Sequence, residues 1–201
     1  MTKLLYQGHA SCRITSKSGY VIYVDPYAGK GYDVPADLIL VTHEHYDHNA
    51  VSIVTKKETC RIIRERDVLS GGTYRTVEPA SGISVTAVPA YNSNHRRSEC
   101  VGYVITVDGI VIYAAGDTSY TDYMKDTLSK EHIDYALLPT DGVFNMDAKE
   151  AARCADILGA DHAIPIHMKP GALFSQAVAD RFTARNRLIV KPAEEIVLEK
   201  H

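Results

Sequence analysis

The sequence lacks the features that mark several common classes of protein. No apolar run approaches the ~18–20 residues of a membrane-spanning helix, and the N-terminal segment MTKLLYQGHASCR has no apolar run of signal-peptide length. Basic residues are not in excess, because 22 Lys and Arg stand against 25 Asp and Glu and the net charge is −3. We therefore expect a cytoplasmic protein with no membrane partner, and nucleic acid is not the expected partner.

The four cysteines also lack a pattern. Cys12, Cys60, Cys100 and Cys154 lie far apart and form no CxxC pair. Without a secretory signal, we expect reduced, buried thiols rather than disulfides or a zinc knuckle. The chain has 201 residues, of which 45% are apolar and 23% charged. This composition is typical of a globular protein, and the length fits one domain, residues 1–201.

Short apolar runs rich in β-branched residues recur along the chain and predict strands. They cover residues 4–7, 20–24, 37–41, 61–63, 83–88, 102–107, 110–115, 135–139, 162–166, 187–190 and 195–199. The pair Asp108-Gly109 between two of these runs predicts a two-residue hairpin turn. Many strands with few helices favour two layered sheets with outer helices over one all-parallel sheet.

One segment has a full set of helix signals. Asp147 and Glu150 fit a capping box, apolar residues between 151 and 158 share one face, and Gly159 can end the helix. Weaker helical patterns cover residues 49–56, 121–130 and 175–185.

The densest polar cluster is THEHYDH, directly after the predicted strand 37–41. It contains His43, His45, Asp47 and His48. In extended chain His43 and His45 point the same way, because side chains of a strand alternate with period two. Asp47 and His48 would follow at a turn into the helix at 49–56. Two differently oriented pairs suit two metal ions better than one.

Imidazole and carboxylate ligands are compatible with Zn, Fe or Mn. A dinuclear site needs further ligands, and Asp117 and His167 each follow a predicted strand. A carboxylate at Asp117 can bridge two ions that are ~3.5–4 Å apart. The alternative is a polar turn whose histidines cap a helix, with Asp117 as a helix cap and His167 as an ordinary core or surface residue.

These motifs resemble a known family. THEHYDH, GDT at 116–118 and IPIH at 164–167, each after an apolar strand, are similar to motifs of the metallo-β-lactamase fold superfamily, in its small single-domain branch of metal-dependent hydrolases. The resemblance implies an α/β fold, a four-layer αββα sandwich of two mixed β-sheets flanked by helices. It also implies His43 and His45 as ligands of a first metal, with Asp47, His48 and His167 for a second, and Asp117 between them.

One part of the pattern is missing. The superfamily usually has a third histidine for the first metal in the loop after the strand corresponding to 83–88, where this chain reads AYNSNHRRSEC. Either His95 supplies that ligand, which we favour, or water completes the coordination. His9, Asn92 and Asp141 are expected to orient ligands or substrate. Tyr46 is expected to pack or to support a ligand.

The expected chemistry is hydrolysis. Divalent metal lowers the pKa of bound water to about 7, which provides a metal-bound hydroxide. We expect two divalent ions, Zn before Mn or Fe, with Asp47 and Asp117 as catalytic residues. The positive charge of the two ions exceeds the negative charge of these two carboxylates and a hydroxide, so the site is net positive. A small anionic or ester-like substrate, such as a phosphodiester, lactone or thioester, would therefore suit it.

Three cationic side chains near the motifs have two interpretations. Arg96, Arg97 and Lys169 either bind a phosphate or carboxylate of the substrate or are solvated charges on loops. Two other functions also stay open. One is a di-iron redox protein of the same fold, and the other is a metal-binding protein without catalytic activity.

Overall fold

A computed structural model describes residues 1–200, and its first sheet has six strands. These are β1 (Lys3–Gly8), β2 (Ser11–Thr15), β3 (Val21–Val24), β4 (Ala36–Val41), β5 (Lys56–Arg64) and β14 (Glu194–Val197). Their order across the sheet is β14-β1-β2-β3-β4-β5. The strands from β14 to β3 pair antiparallel, whereas β3, β4 and β5 pair in parallel. The sheet is therefore mixed.

The second sheet also has six strands. These are β8 (Thr76–Ala80), β9 (Ile83–Pro89), β10 (Val101–Val107), β11 (Ile110–Ala114), β12 (Tyr135–Pro139) and β13 (His162–Ile166), and β6 (Leu69–Ser70) and β7 (Thr73–Tyr74) form a separate short hairpin. The order is β13-β12-β11-β10-β9-β8, with β11, β12 and β13 parallel and the other pairs antiparallel. The predicted turn at Asp108-Gly109 joins β10 to β11.

The main core lies between the two sheets. One apolar cluster joins Leu4, Ile14 and Leu38 of the first sheet to Ile105 and Leu137 of the second. All five side chains are buried, and burial of a side chain of this size stabilises a fold by roughly 1.5–3 kcal/mol. Inward and outward residues alternate along the strands, which fixes their register.

Most helices pack on the outer face of the second sheet, whereas the first packs against the core between the sheets. The four α-helices are α1 (Glu65–Val68), α2 (Asp122–Asp126), α3 (Ala148–Leu158) and α4 (Gln176–Ala179), with 3-10 turns at Val51–Ile53 and Leu128–Lys130. The apolar face of α3 packs with residues of β12 and β13 in a second cluster. A third cluster covers the first sheet with a loop and the turn Val51–Ile53. Among the described residues, no helix is both long and apolar enough to span a membrane.

The predicted fold class is confirmed, and several predicted segments are not. Residues 49–56 form only one 3-10 turn, and 175–185 contain only the four-residue α4. Residues 187–190 make no strand beyond an isolated bridge at Arg187. The Asp147 carboxylate caps α3 as predicted, but Glu150 accepts a hydrogen bond from the Tyr120 amide (2.9 Å) instead of completing the capping box.

Candidate metal centre

The predicted site residues follow strands that end at the same edge of the sandwich. In the first sheet β1, β3 and β4 run in one direction, and in the second β9, β11, β12 and β13 share a direction. Loops after these strands therefore converge. They carry His9, Asp25, the 43–48 motif, Asn92 and His95, Asp117, Asp141 and His167.

A first cluster contains three histidines. One ring nitrogen from each of His43, His45 and His95 lies within 4.8 Å of the others. The His43 and His95 rings are buried, whereas His45 is exposed at the mouth of the site. The structure therefore brings His95 to the position where the sequence pattern left a gap. Three imidazole nitrogens are therefore close enough together to hold one ion.

A second cluster lies beside the first and contains His9, Asp47, His48 and His167. The His9 Nε2 atom is 3.1 Å from Asp47 Oδ2, and its Nδ1 is 3.1 Å from the carbonyl oxygen of Ala172. The His9 and His167 rings are also in contact, with centroids 3.7 Å apart and their planes tilted by 43°. His9 therefore holds the Asp47 carboxylate against the rest of this cluster.

Asp117 stands between the two clusters. Its Oδ2 is 3.2 Å from His95 Nε2 in the first cluster, and its Oδ1 is 3.3 Å from His48 Nε2 in the second. The side chain is buried. One carboxylate oxygen is thus available to each cluster, which is the arrangement that a bridging ligand requires.

Polar atoms without partners show that the centre fits metal ions. His43 Nε2, His48 Nε2, His167 Nε2 and Asp117 Oδ1 are buried and make no hydrogen bond. A buried polar atom left in this state costs roughly 1–3 kcal/mol, so four together need a common explanation. Imidazole nitrogen and carboxylate oxygen are suitable ligands for Zn²⁺.

The opposite nitrogen of several rings is held by a fixed oxygen. His48 Nδ1 is 2.9 Å from Asp25 Oδ2, and His95 Nδ1 is 3.0 Å from Asn92 Oδ1. His167 Nδ1 lies 3.0 Å from Asp141 Oδ2. Donation of the Nδ1 proton to such an oxygen leaves the Nε2 lone pair directed into the centre, as in many metal sites.

His43 has an equivalent partner in Thr42. The Thr42 hydroxyl donates to Asp25 Oδ2 at 2.7 Å and lies 3.0 Å from His43 Nδ1, so it can accept the imidazole proton. Asp25 therefore supports one histidine of each cluster. Sequence reasoning did not assign a role to Asp25 or Thr42, although Asp25 stands in the VDP segment at the end of β3.

Backbone conformation marks the same residues. Among residues 1–200, five other than glycine have positive φ, and three of them, His9 (56°), Asp25 (44°) and His167 (43°), are in this centre. Such conformations are uncommon for residues other than glycine, and they cluster at functional sites.

The carboxylates and histidines strongly affect one another's ionisation. Burial lowers the pKa of His43, and the nearby His48 lowers it further. Burial also lowers the pKa of His167, but Asp141 and Asp47 outweigh it and raise that pKa to about 10. Burial would raise the pKa of Asp117, yet His48 and His95 hold it well below its usual range. The centre is therefore rich in anionic carboxylate and attracts cations.

A cleft of about 540 Å³ opens onto the centre, and its walls include Glu44, Tyr46, Asn94, Phe144 and Pro170. Tyr46 is expected to pack or to support a ligand. One edge of its ring meets Tyr27, and the side chain is 71% exposed at this cleft.

The three cationic side chains considered earlier do not line the cleft. Arg97 lies over the Tyr91 ring, 5.3 Å from its centroid, and Lys169 is exposed outside the cleft. Arg96 pairs with Glu99 at 3.2 Å and borders an adjoining depression, whose walls include His43, His45 and His95 of the first cluster.

Comparisons with known proteins identify the family. Residues 3–167 match the model of the beta-lactamase superfamily domain. The chain is 31% identical to a UPF0173 metal-dependent hydrolase of Thermococcus onnurineus, over 98% of this chain and 100% of that protein. It thus belongs to the beta-lactamase superfamily and, within it, to the group of UPF0173 metal-dependent hydrolases, which confirms the resemblance found in the sequence.

Solved structures share the fold. Igni18, a metallo hydrolase from Ignicoccus hospitalis, has a TM-score of 0.79 at 21% identity. The match covers 100% of this chain and 99% of Igni18. CmlA, a diiron beta-hydroxylase from Streptomyces venezuelae, has a TM-score of 0.70 at 15% identity, over 98% of this chain and 54% of its own. The same fold therefore occurs with more than one chemistry, and the function must be argued from the site.

Proposed function

We propose that the chain is a hydrolase that uses two divalent metal ions, preferably Zn, at this centre. In this proposal His43, His45 and His95 hold the first ion, Asp47, His48 and His167 hold the second, and Asp117 contacts both. The main support is the group of buried nitrogen and oxygen atoms that make no hydrogen bond within the protein.

Two bound divalent ions would lower the pKa of water to about 7 and polarise the carbonyl or phosphoryl oxygen of a substrate. The chain's own residues orient the reaction. Asp25, Thr42, Asn92 and Asp141 keep the imidazole rings in place from behind. Asp47 and Asp117 border the cleft, so each is placed to hold or move a proton close to a bound substrate.

The proposal is tested by metal quantification on purified protein, together with a screen of lactones, thioesters, carboxylic esters and phosphodiesters. We expect close to two ions per chain and hydrolysis of at least one class. In Asp117→Asn, we expect turnover to fall by about a hundredfold or more, because a carboxylate that contacts both ions is lost.

Asp122→Asn is a matched control, since this carboxylate lies at the exposed start of α2. Its metal content and turnover should be unchanged. A metal content near zero after purification in metal-replete buffer would refute the proposal. Two irons with oxygen-dependent turnover and no hydrolysis would indicate a redox protein. Two bound ions with no turnover in any assay would indicate a metal-binding protein.

A further inference from the structure

The electrostatic balance of the centre differs from the one that the sequence suggested. Asp47 and Asp117 are not the only carboxylates, because Asp25 and Asp141 also have buried side chains, each beside a histidine of the centre. Four carboxylates balance the four positive charges of two divalent ions, and a hydroxide would make the sum negative. The charge of the centre therefore gives no general preference for an anionic substrate.

No cationic side chain of the described residues lines the cleft to compensate. Arg96 borders the adjoining depression beside His45 and His95, but it pairs with Glu99 at 3.2 Å. Two arginines beside the cleft wall are also paired. Arg64 at the end of β5 and Arg66 in α1 both bind Glu44, with N–O distances of 2.7 and 2.8 Å. A phosphodiester or carboxylate substrate would thus enter without the bidentate arginine contacts that commonly recognise such groups.

Aromatic side chains stand where cations are missing. Tyr46 projects from the ligand loop of the first sheet, packed edge-on against Tyr27 with ring centroids 5.9 Å apart. Phe144 projects from the loop after β12 of the second sheet and is 47% exposed. Both border the cleft, together with Pro170. Exposed aromatic side chains around a concave polar centre are typical of a surface that binds a ligand.

The loop that presents Phe144 is held rigidly. The Phe144 amide donates to Asp141 Oδ1 at 2.7 Å, and its carbonyl oxygen accepts from the side-chain amides of Asn92 (2.9 Å) and Asn94 (3.0 Å). Asp141 and Asn92 also contact His167 and His95. The backbone that carries the aromatic ring is therefore held by the same side chains that contact His95 and His167. Such preorganisation reduces the entropic cost of ligand binding.

We propose that the cleft binds an uncharged ester-like substrate, an ester, lactone or thioester, whose apolar group contacts Tyr46 and Phe144. This inference rests on the proposed function. Water is the second reactant, and it adds to the acyl carbon while the alcohol or thiol leaves with a proton. The cleft volume of about 540 Å³ accommodates a compact molecule rather than a polymer.

The first test compares kcat/KM for para-nitrophenyl hexanoate with that for the para-nitrophenyl monoester of glutaric acid, which has a similar length and a terminal carboxylate. Bis(para-nitrophenyl) phosphate represents phosphodiesters. We expect at least a tenfold preference for the hexanoate, the size of effect that an apolar pocket gives. In Phe144→Ala or Tyr46→Ala the advantage of hexanoate over acetate should shrink, with two ions retained.

The second test measures binding without turnover. Benzohydroxamate and acetohydroxamate share one chelating group, and the metal-loaded protein should bind the phenyl compound about tenfold more tightly. A carboxylate added to the phenyl ring should remove this gain, and so should Phe144→Ala. Val143→Ala is the matched control, since Val143 is 61% exposed next to Phe144 but does not line the cleft.

The two tests separate this inference from the proposed function. Turnover that favours the glutaryl ester or the phosphodiester would overturn the inference and leave a metal-dependent hydrolase. Failure of all hydrolysis with the expected hydroxamate difference would refute the hydrolase and support the apolar site. Equal affinity for the two hydroxamates, or no binding of either, would overturn the inference as well.

Discussion

Four of the five histidines that we propose as metal ligands have a polar neighbour on the far side of the ring, and His45 is the exception among the described residues. His48 lies against Asp25, and His95 lies against Asn92, so the lone pair of each Nε2 atom points into the centre. Partners of this kind commonly contribute a factor of 10–100 to metal affinity. At the scale of single residues, metal binding therefore depends on side chains that would never touch the ion.

Asn92 provides the sharpest case. Its Oδ1 accepts from the His95 amide and lies 3.0 Å from His95 Nδ1. In Asn92→Ala we expect the affinity for the first ion to fall by roughly 10–100-fold, because the ring becomes free to rotate. Competition with a coloured chelator should then show one weakened ion and one retained ion per chain.

Asn186→Ala is a suitable control. The Asn186 side chain also donates to a loop, at the carbonyl oxygen of Ala160, but far from the centre. Both ions should keep their affinity in this variant. If Asn92→Ala bound both ions as tightly as the unchanged protein, the proposal that Asn92 orients His95 for metal binding would be wrong.

Much of the site at this scale could be anticipated from the sequence. The motif THEHYDH and the residues that end strands, Asp117 and His167, carry a recognisable spacing. Asp25 and Thr42 could not be assigned in the same way. Their role depends on the parallel pairing of β3 with β4. This pairing places the loop after β3, with Asp25, beside the loop after β4, with Thr42, although the two loops are separated in the sequence.

Secondary-structure elements differ in how strongly their own residues determine them. In α3 the cap, the apolar face and the final glycine agree, and the helix ends at Gly159 with φ of 62° as expected. The strand β5 has nine residues, most of them exposed, and little apolar alternation. This strand forms because it pairs with β4. Its own residues carry a strand pattern only at 61–63, so only that segment could be predicted from the sequence.

The helix cap of α3 leads to a prediction about stability. The Asp147 carboxylate accepts from the amides of Lys149 (3.0 Å) and Glu150 (2.8 Å). Asp147→Ala should reduce the free energy of unfolding by about 1 kcal/mol, which lowers Tm by roughly 2–4 °C for a chain of this size. Differential scanning calorimetry measures the change.

Asp156→Ala serves as the control, because Asp156 is exposed on the same helix and caps nothing. Its Tm should change by less than that of Asp147→Ala. Metal content should be unchanged in both variants, since α3 packs outside the second sheet. Loss of metal in Asp147→Ala would show that the cap also supports the loop of Asp141.

On the scale of the whole molecule, the centre joins the two sheets. The 43–48 motif comes from the first sheet, whereas His95, Asp117 and His167 come from the second. Residues near both ends of the described chain, in β1 and β14, pair in one sheet. This supports the expected single domain, which stays a prediction together with the cytoplasmic location.

Metal removal should therefore weaken the contact between the sheets. A metal ion that binds only the folded state raises the free energy of unfolding by about 2.7 kcal/mol when its free concentration is a hundred times Kd. Removal of the ion by a chelator should therefore lower Tm by roughly 5–10 °C. The double variant His43→Ala/His167→Ala should show no response to chelator. A Tm that is equal with and without metal would contradict a centre that joins the sheets.

The spread of the ligands along the chain also affects how the protein is made. The first proposed ligand stands at position 43 and the last at 167, so a nascent chain cannot complete the centre until 124 residues have been added after His43. Until then the histidines of the 43–48 motif are available to any ion that the cell offers. The identity of the metal in the mature protein would then depend on which ions are present when His167 leaves the ribosome.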